Sequence, residues 1–416
     1  QAEDGIRDVE RSRGLGDVYK RQQLTWTDIL DEVFLDKWVG IPIFLVILWA
    51  MFQFVFTVGA PFLELIGIGF EVASEAINSI FEGAGTGLQI FGSFIADAIV
   101  GGIGFLLSFV PLIFLLFLFI SFLEDSGYMG RAAFIMDRAM IKIGLHGKSF
   151  VPMLIGFGCN IPAIMATRTI PNETDRKITI LINPLMSCGA RLPVYVWIAA
   201  AFFPLIANTV IFSIYILGIV LAIIMALIFR KLFFKSEPPA PFIMELPPYR
   251  APTLKSISIH MWERGVQYLK RVFTILLVGS IIIWFLTHFP WNAYIAGDMD
   301  QTFAGILGGI IAPIFYPLGF TAKESIAWII GTALIFGFLA KELVVEVIGA
   351  TIGITATELF THPLIAYSFM AFTLIYIPCM GCMGVLKSEL GSKKWFVFSM
   401  IYGFFLAYLV LSLIHI

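Results

Sequence analysis

Four cysteines lie beside residues that interrupt apolar segments, and these are the side chains of the chain best suited to bind a metal ion. Cys159 lies in GFGCNIP with Asn160 after it, Cys188 lies in SCGARLP, and Cys379 and Cys382 form the CxxC of IPCMGC. Thiolate sulfur selects the softer transition metals, and a thiol must lose its proton to bind one. The alternative is that each free cysteine is a small, inert hydrophobic residue, and an isolated CxxC is a weak signal for zinc or redox chemistry.

Two carboxylates accompany the cysteines in the second half of the chain. Glu342 and Glu346, in FLAKELVVE, are four residues apart and share one face of any helix that contains them. Like charges at this spacing repel each other unless a cation or a proton lies between them. Because burying a carboxylate in a membrane is costly, such a residue indicates a functional site. The alternative is that Lys341 neutralises one of them near the interface.

The composition is that of an integral membrane protein. Of 416 residues, 59% are hydrophobic and 13% charged, the mean hydropathy is +0.92 and the formal net charge is −2. Soluble proteins carry about twice that fraction of charged residues. These values exclude a soluble enzyme, a nucleic-acid-binding protein and a disordered scaffold as descriptions of the bulk of the chain. The predicted fold class is all-α, with about eight to eleven membrane elements.

The basic residues predict the orientation. No Lys or Arg occurs between Lys37 and Arg131, although seven acidic residues do, whereas residues 230–271 hold a dense basic run. By the positive-inside rule the acidic stretch is external, and the amino terminus and the basic run are cytoplasmic. Residues 38–58 are predicted to form the first span, and residues 60–85 a helix that lies along the outer interface.

Two regions are apolar enough to enter the bilayer but are interrupted by Gly, Pro and charged residues, namely residues 150–193 and 323–384. Each contains a broken segment, a connector and a second broken segment with a cysteine beside Pro or Gly, so the two regions form an internal repeat. Unwound backbone at membrane depth is tolerated only where it lines a cavity. Paired interrupted segments in corresponding halves indicate the binding site of a transporter.

Several motifs resemble the membrane portion of the ferrous iron transporter B family over about residues 27–413. They include LEDSGYMGRAAFIMDRAMIKIGLHGKSFVPMLIGFGCNIPAIMATRTI, ILINPLMSCGARLPVYV, ELPPYRAPTLK, FLAKELVVE and YIPCMGC. The resemblance implies an Fe²⁺ transporter of the bacterial inner membrane, with two Gate-type repeats built from broken or re-entrant helices. It places four residues on the ion path: Cys159, Cys188, Cys379 and Glu342. Asn160, Glu346 and Cys382 are further candidates, and Cys382 and Glu346 depart from the small or hydroxyl side chains expected in relatives.

The resemblance also implies an amino-terminal cytosolic GTPase domain, which this sequence does not contain. The only GKS, at Gly147–Ser149, has Lys142 where the leading Gly of a phosphate-binding loop should be. We therefore expect a transporter that does not itself hydrolyse GTP, with GTP and Mg²⁺ bound only by that other domain and no permanent cofactor. The expected partners are Fe²⁺, the lipid bilayer, the GTPase domain, a small cytosolic accessory protein and further copies of the chain, but no nucleic acid.

The predicted organisation has six parts. They are a polar N-terminal segment that is a linker or foreign to the protein (1–26), the first spans and interfacial helices (27–148), the first Gate repeat (149–234), a cytoplasmic Pro-rich loop and interfacial helix (235–271), the second Gate repeat (272–394), and a C-terminal span (395–416).

Three other functions are consistent with the same residues. A Gate-type carrier of nucleosides or other solutes would use polar and aromatic groups, and its thiols would be incidental. An intramembrane metalloenzyme or redox protein would depend on the CxxC and therefore on Cys382. A structural membrane anchor for a soluble GTPase would carry no flux.

Overall fold

The computed structural model describes residues 26–36, 39–83, 85–233, 249–289, 301–320, 327–345, 347–348 and 355–415. The polar N-terminal segment, except Trp26, and the candidate ligand Glu346 lie outside the described residues. Every regular element within them is helical, as the fold class predicts. The α-helices are α1 (Trp26–Phe34), α2 (Gly40–Phe81), α3 (Thr86–Ser93), α4 (Gly102–Asp125), α5 (Tyr128–Ile143), α6 (Phe150–Gly156), α7 (Asn160–Ala166), α8 (Glu173–Ile182), α9 (Leu192–Phe202), α10 (Ala207–Phe233), α11 (Leu254–His288), α12 (Phe303–Ile311), α13 (Ala327–Leu339), α14 (Leu343–Val345), α15 (Ala356–Leu359), α16 (Pro363–Ile375), α17 (Met380–Leu390) and α18 (Lys393–His415).

Shorter helical turns connect several of these helices. A π-helix covers Phe94–Gly101 and joins α3 to α4 without a break. The 3₁₀ turns are Gly147–Ser149, Thr167–Thr169, Asn183–Leu185, Gly189–Arg191 and Ala312–Leu318.

Six segments of the described chain are long and apolar enough to cross a membrane, or seven if one bent helix pair is a single span. The six are Pro42–Phe81, Thr86–Gly104, Glu173–Phe202, Ala207–Phe233, Pro363–Leu390 and Lys393–Ile414. The bent pair joins Val110–Asp125 to Tyr128–Asp137 at an angle of 80°. Three shorter apolar helices are Leu277–His288, Phe303–Leu318 and Ala327–Leu339. The chain is therefore a polytopic membrane protein in which some apolar helices are too short to cross alone.

The first span differs from the sequence prediction. Helix α2 has 42 residues and continues through Pro61 to Phe81, so residues 60–85 do not form a separate interfacial helix. At 1.5 Å per residue, α2 is about 63 Å long, roughly twice the hydrocarbon thickness of a bilayer. Gly83, in the left-handed conformation with φ +88°, follows α2.

Close packing against α4 explains why α2 stays continuous. A Cβ atom at Gly59 would lie 2.9 Å from Leu112, and one at Gly104 would lie 2.5 Å from the Phe70 side chain. The two helices are therefore antiparallel, and each places a glycine against a large side chain of the other. Dispersion contacts of this kind drive helix association in lipid, and they outweigh the single hydrogen bond that Pro61 removes.

Helices end at all four predicted interruptions. Helix α6 ends at Gly156 and α8 at Ile182 in the first repeat, and α13 ends at Leu339 and α16 at Ile375 in the second. Local chemistry accounts for two of these ends, because proline disfavours a helical conformation in the residue before it, and prolines follow Ile182 and Ile375 within three residues. The prediction of broken helices in both halves is confirmed.

Small residues bring α12 and α13 into contact. Each helix carries an Ala-xxx-Gly motif, Ala304 to Gly308 in α12 and Ala327 to Gly331 in α13, and all four residues are buried. A Cβ atom at Gly331 would lie 2.2 Å from the backbone oxygen of Gly308. Thr332 Oγ1 donates to the Ala304 carbonyl at 3.1 Å. Small residues at this spacing let helix backbones approach closely within a bilayer.

We expect Gly331→Ala to destabilise the protein by about 1 to 3 kcal/mol, because the new methyl group collides with backbone that cannot move alone. The matched control is Gly309→Ala on α12, where the nearest atom would be at an ordinary 3.9 Å. Thermal unfolding in detergent measures the difference, and equal midpoints for the two variants would contradict the assigned packing.

Candidate functional site

The two breaks of the first repeat lie against each other. The backbone N–H of Gly189 donates to the carbonyl of Gly158 at 3.1 Å. Asn183 Nδ2 donates to the Pro152 carbonyl at 3.0 Å and so ties the second break to α6. Cys159 and Cys188 are direct neighbours of the two bonded glycines, so the structure brings these predicted ligands together.

The two breaks of the second repeat are joined by a lysine. Lys341 lies in the turn after α13, and its Nζ donates to the carbonyl of Ile377 at 2.7 Å. The same ammonium lies 3.2 Å from the centroid of the Tyr376 ring. Glu342 follows Lys341, and Cys379 is two residues after Ile377, so the candidate carboxylate and thiol of this repeat lie at one junction.

The two repeats contact each other through α7 and α17, two short helices that each begin directly after a cysteine. Cys159 is the N-cap of α7 and Cys379 is the N-cap of α17, and these two helices pack against each other. Cys159 lies within electrostatic range of Cys188, Cys379 and Glu342. The four residues that the sequence places on the ion path therefore lie in one region, between the repeats.

The candidate ligands do not form a closed cage. Among the described residues, no three His, Cys, Asp or Glu side chains are close enough to hold one metal ion. Cys159, Cys188 and Cys379 are partly exposed, whereas Cys382 is fully buried, within electrostatic range of the other three thiols. Asn160 is buried, and its Oδ1 has no hydrogen-bond partner among the residues that the structure describes.

Two buried basic residues were not among the predicted site residues. Arg191 is 1% exposed and Lys341 is 2% exposed. Arg191 donates to the carbonyls of Met186 at 2.9 Å and Pro184 at 3.0 Å. A basic residue inside an apolar, interrupted segment is itself a signal of function, and this signal was available in SCGARLP and FLAKE.

A polar and aromatic cluster borders Cys188. Ser187 Oγ donates to Tyr195 Oη at 3.2 Å, and the ring centroids of Tyr195 and Tyr215 are 6.4 Å apart. Phe157 stacks on Tyr215 with centroids 6.0 Å apart. These groups give one wall of the region a surface that an aromatic solute could contact.

A cluster of ion pairs lies at the C-terminal ends of α7 and α17. Glu389, at the end of α17, accepts from Arg168 Nε at 3.0 Å and from Arg176 at 2.8 Å. Arg168 follows α7 and Arg176 lies on α8, so this cluster links the two repeats. The Glu389 side chain is 3% exposed, whereas those of Arg168 and Arg176 are 48% and 31% exposed.

We expect Glu389→Gln to lower the free energy of unfolding by about 1 to 2 kcal/mol, because charge-assisted hydrogen bonds to two guanidinium groups are lost while water partly compensates the exposed arginines. Glu173→Gln is the matched control, since Glu173 is 78% exposed and pairs with Lys177 one turn away. Denaturant titration in detergent should show little change for the control. Equal stability of Glu389→Gln and wild type would contradict a structural link between the repeats.

Comparison with known proteins identifies relatives over nearly the whole chain. The Gate family, described as "Nucleoside recognition", matches residues 106–202 and 269–393, more than half of the chain. The family "Ferrous iron transport protein B C terminus" matches residues 211–264, between the two Gate segments. No solved structure matches the chain.

Three curated relatives each have FeoB in their names. The Fe(2+) transporter FeoB of Methanocaldococcus jannaschii is 41% identical over 95% of this chain and 59% of its own length. The Fe(2+) transport protein A/Fe(2+) transporter FeoB fusion protein of Porphyromonas gingivalis is 39% identical over 95% of this chain and 52% of its own length. The Fe(2+) transporter FeoB of Staphylococcus aureus is 39% identical over 92% of this chain and 57% of its own length. The chain thus spans about half the length of the curated relatives it matches, and it belongs to the ferrous iron transport protein B family.

Proposed function

We propose that this chain is the membrane permease portion of a ferrous iron uptake transporter and that Fe²⁺ passes between the two Gate repeats. The observation that supports this most is that Cys159 and Cys379, one from each repeat, are the N-caps of α7 and α17, which pack against each other. The hydrogen bond from Gly189 to Gly158 also holds the segment that carries Cys188 beside Cys159. The names of the relatives support Fe²⁺ as the cargo.

The chemistry of the four side chains suits Fe²⁺. Thiolates select softer transition metals, and a carboxylate supplies charge to a dication that loses its water. Mg²⁺ and Ca²⁺ prefer cages of oxygen ligands. Carbonyls freed by the helix breaks supply further oxygen atoms along the path.

An open arrangement of ligands suits transport better than a closed one. Conduction requires binding that is favourable enough for entry but weak, or spread over several sites, for release. The partly exposed Cys159, Cys188 and Cys379 would bind the ion in turn or in pairs. Asn160 adds a buried amide oxygen beside Cys159, and Glu346 and Cys382 are further candidates.

The remaining assignments follow from the family. We assign the transporter to the bacterial inner membrane with its amino terminus in the cytoplasm, in accord with the positive-inside rule and the position of the basic run. GTP hydrolysis would belong to a further domain of the full-length protein. The fusion protein of P. gingivalis supports a small accessory protein, named Fe(2+) transport protein A there, as a partner.

A second candidate function is transport of a nucleoside or similar solute. The description of the Gate family and the cluster of Ser187, Tyr195 and Tyr215 favour it. Such a carrier would hold its substrate through aromatic stacking and hydroxyl groups and would need no thiol.

Uptake into proteoliposomes distinguishes the two functions. We expect downhill entry of Fe²⁺, kept reduced with ascorbate, at a rate well above that of protein-free liposomes, and no inhibition by excess uridine or adenosine. Radiolabelled nucleoside entry without Fe²⁺ entry would favour the second function and contradict the first.

A further inference from the structure

In the described part of each repeat, a buried basic side chain donates to one or two backbone carbonyls between the α-helices. In the first repeat, the Arg191 guanidinium binds the carbonyls of Met186 and Pro184, at 2.9 and 3.0 Å. In the second, the Lys341 ammonium binds the Ile377 carbonyl at 2.7 Å. The two residues lie within electrostatic range of each other.

These bonds hold the segments that carry the cysteines. Cys188 lies between Met186 and Arg191, so the guanidinium closes a short loop around this thiol. Lys341 ties the break that carries Glu342 to the break that carries Cys379. In both repeats one bound carbonyl, that of Met186 or Ile377, is two residues before the cysteine.

Packing alone does not explain why Arg191 and Lys341 are buried between the repeats. Burying a cation is costly, and both residues lie within electrostatic range of Cys188, Cys379 and Cys382, where they repel a passing cation. Their benefit is that they donate hydrogen bonds to backbone carbonyls that lie between the α-helices. The Arg191 Nε is buried and has no hydrogen-bond partner in the described chain.

We propose that Arg191 and Lys341 are a matched pair of positioning residues, each of which binds the unwound carbonyls before one cysteine and thereby fixes the direction in which Cys188 or Cys379 faces the ion path. This inference rests on the proposed function. It adds that Lys341 also sets the distance between Glu342 and Cys379, because its hydrogen bond joins their two segments. The ammonium position, between a carbonyl and the face of Tyr376, is a site for a small organic cation once the lysine side chain is shortened.

The test measures the reactivity of one thiol. In a variant whose other three cysteines are serine, the alkylation rate of Cys379 by iodoacetamide is compared for Lys341, Lys341→Ala and Lys341→Arg. We expect the rate to change at least about fivefold in Lys341→Ala, to return toward the original value when methylammonium is added, and to change less in Lys341→Arg. As a control, Lys387→Ala removes an exposed charge from α17, the helix that Cys379 caps, and should leave the alkylation rate of Cys379 unchanged.

The same design applies to the first repeat. With Cys188 as the single cysteine, Arg191→Gln should change the alkylation rate and Arg191→Lys should change it less. If Lys341→Ala fails to fold, Lys341→Met, which keeps a long side chain but has no hydrogen-bond donor, replaces it under the same comparison. Rates in Lys341→Ala or Lys341→Met equal to that of Lys387→Ala, or a changed rate that methylammonium does not restore in Lys341→Ala, would overturn the proposal.

This readout is independent of iron. Absence of Fe²⁺ entry with the wild-type protein would refute the proposed function, whereas alkylation would still report on the hydrogen bonds. Fe²⁺ entry with an unchanged alkylation rate in the Lys341 and Arg191 variants would refute the positioning role alone.

Discussion

Replacing Cys159, Cys188 and Cys379 together with serine is expected to reduce Fe²⁺ uptake by proteoliposomes at least about 100-fold. Mutation of a residue that only hydrogen-bonds to a metal ligand typically lowers the affinity for the metal about 10- to 100-fold. The triple variant removes three of the proposed ligands, so its effect should be larger. Serine keeps nearly the same volume but offers a neutral hydroxyl in place of a thiolate, so the path stays open and loses its affinity for a soft cation. Stopped-flow quenching of a trapped metal indicator measures the rate.

The control for this variant is the fourth cysteine. Cys382 is fully buried, unlike the other three, and we expect Cys382→Ser to lower the rate only mildly. Loss of activity in Cys382→Ser alone would instead favour an intramembrane redox protein that uses the CxxC. Unchanged Fe²⁺ flux in the triple variant would reject thiol ligation.

Asp31→Asn is expected to destabilise the protein by about 3 to 5 kcal/mol, the cost of leaving a buried charge without its counter-ion. Arg131 is fully buried and donates to both carboxylate oxygens of Asp31. It also donates to the Gly127 carbonyl at 2.9 Å, in the bend between α4 and α5, and it lies 3.6 Å from the centroid of the Tyr249 ring. One guanidinium thus holds together α1, the bent helix pair and the segment before α11.

The matched control is Glu32→Gln, which removes an exposed carboxylate from the next position of α1. Its unfolding midpoint should equal that of the wild type, and limited proteolysis should cut near α1 faster only in Asp31→Asn. Equal unfolding midpoints for Asp31→Asn and Glu32→Gln would show that α1 is not held through Arg131.

The helix breaks were predictable because their causes are local. The glycines and prolines around Cys159 and Cys379 change backbone conformation within one or two residues, so their positions in the sequence predict where α6 and α16 end. Apolar composition predicted the membrane class for a similar reason, since the bilayer requires long apolar helices.

The continuity of α2 and the buried ion pairs were not predictable in this way. The acidic residues after Pro61 favoured a separate helix, and only the close approach of Gly59 to Leu112 explains the unbroken one. The pair of Arg168 with Glu389 joins residues 221 positions apart. No sequence pattern reports such a contact, because it depends on how α7 and α17 pack.

X-ray absorption at the iron edge of the protein loaded anaerobically with Fe²⁺ tests the central claim most directly. If ions bind where the broken helices of both repeats meet, sulfur atoms will appear in the first coordination shell and will be absent in the variant with serine at positions 159, 188 and 379. A shell of only nitrogen and oxygen, identical in the wild type and that variant, would contradict the claim.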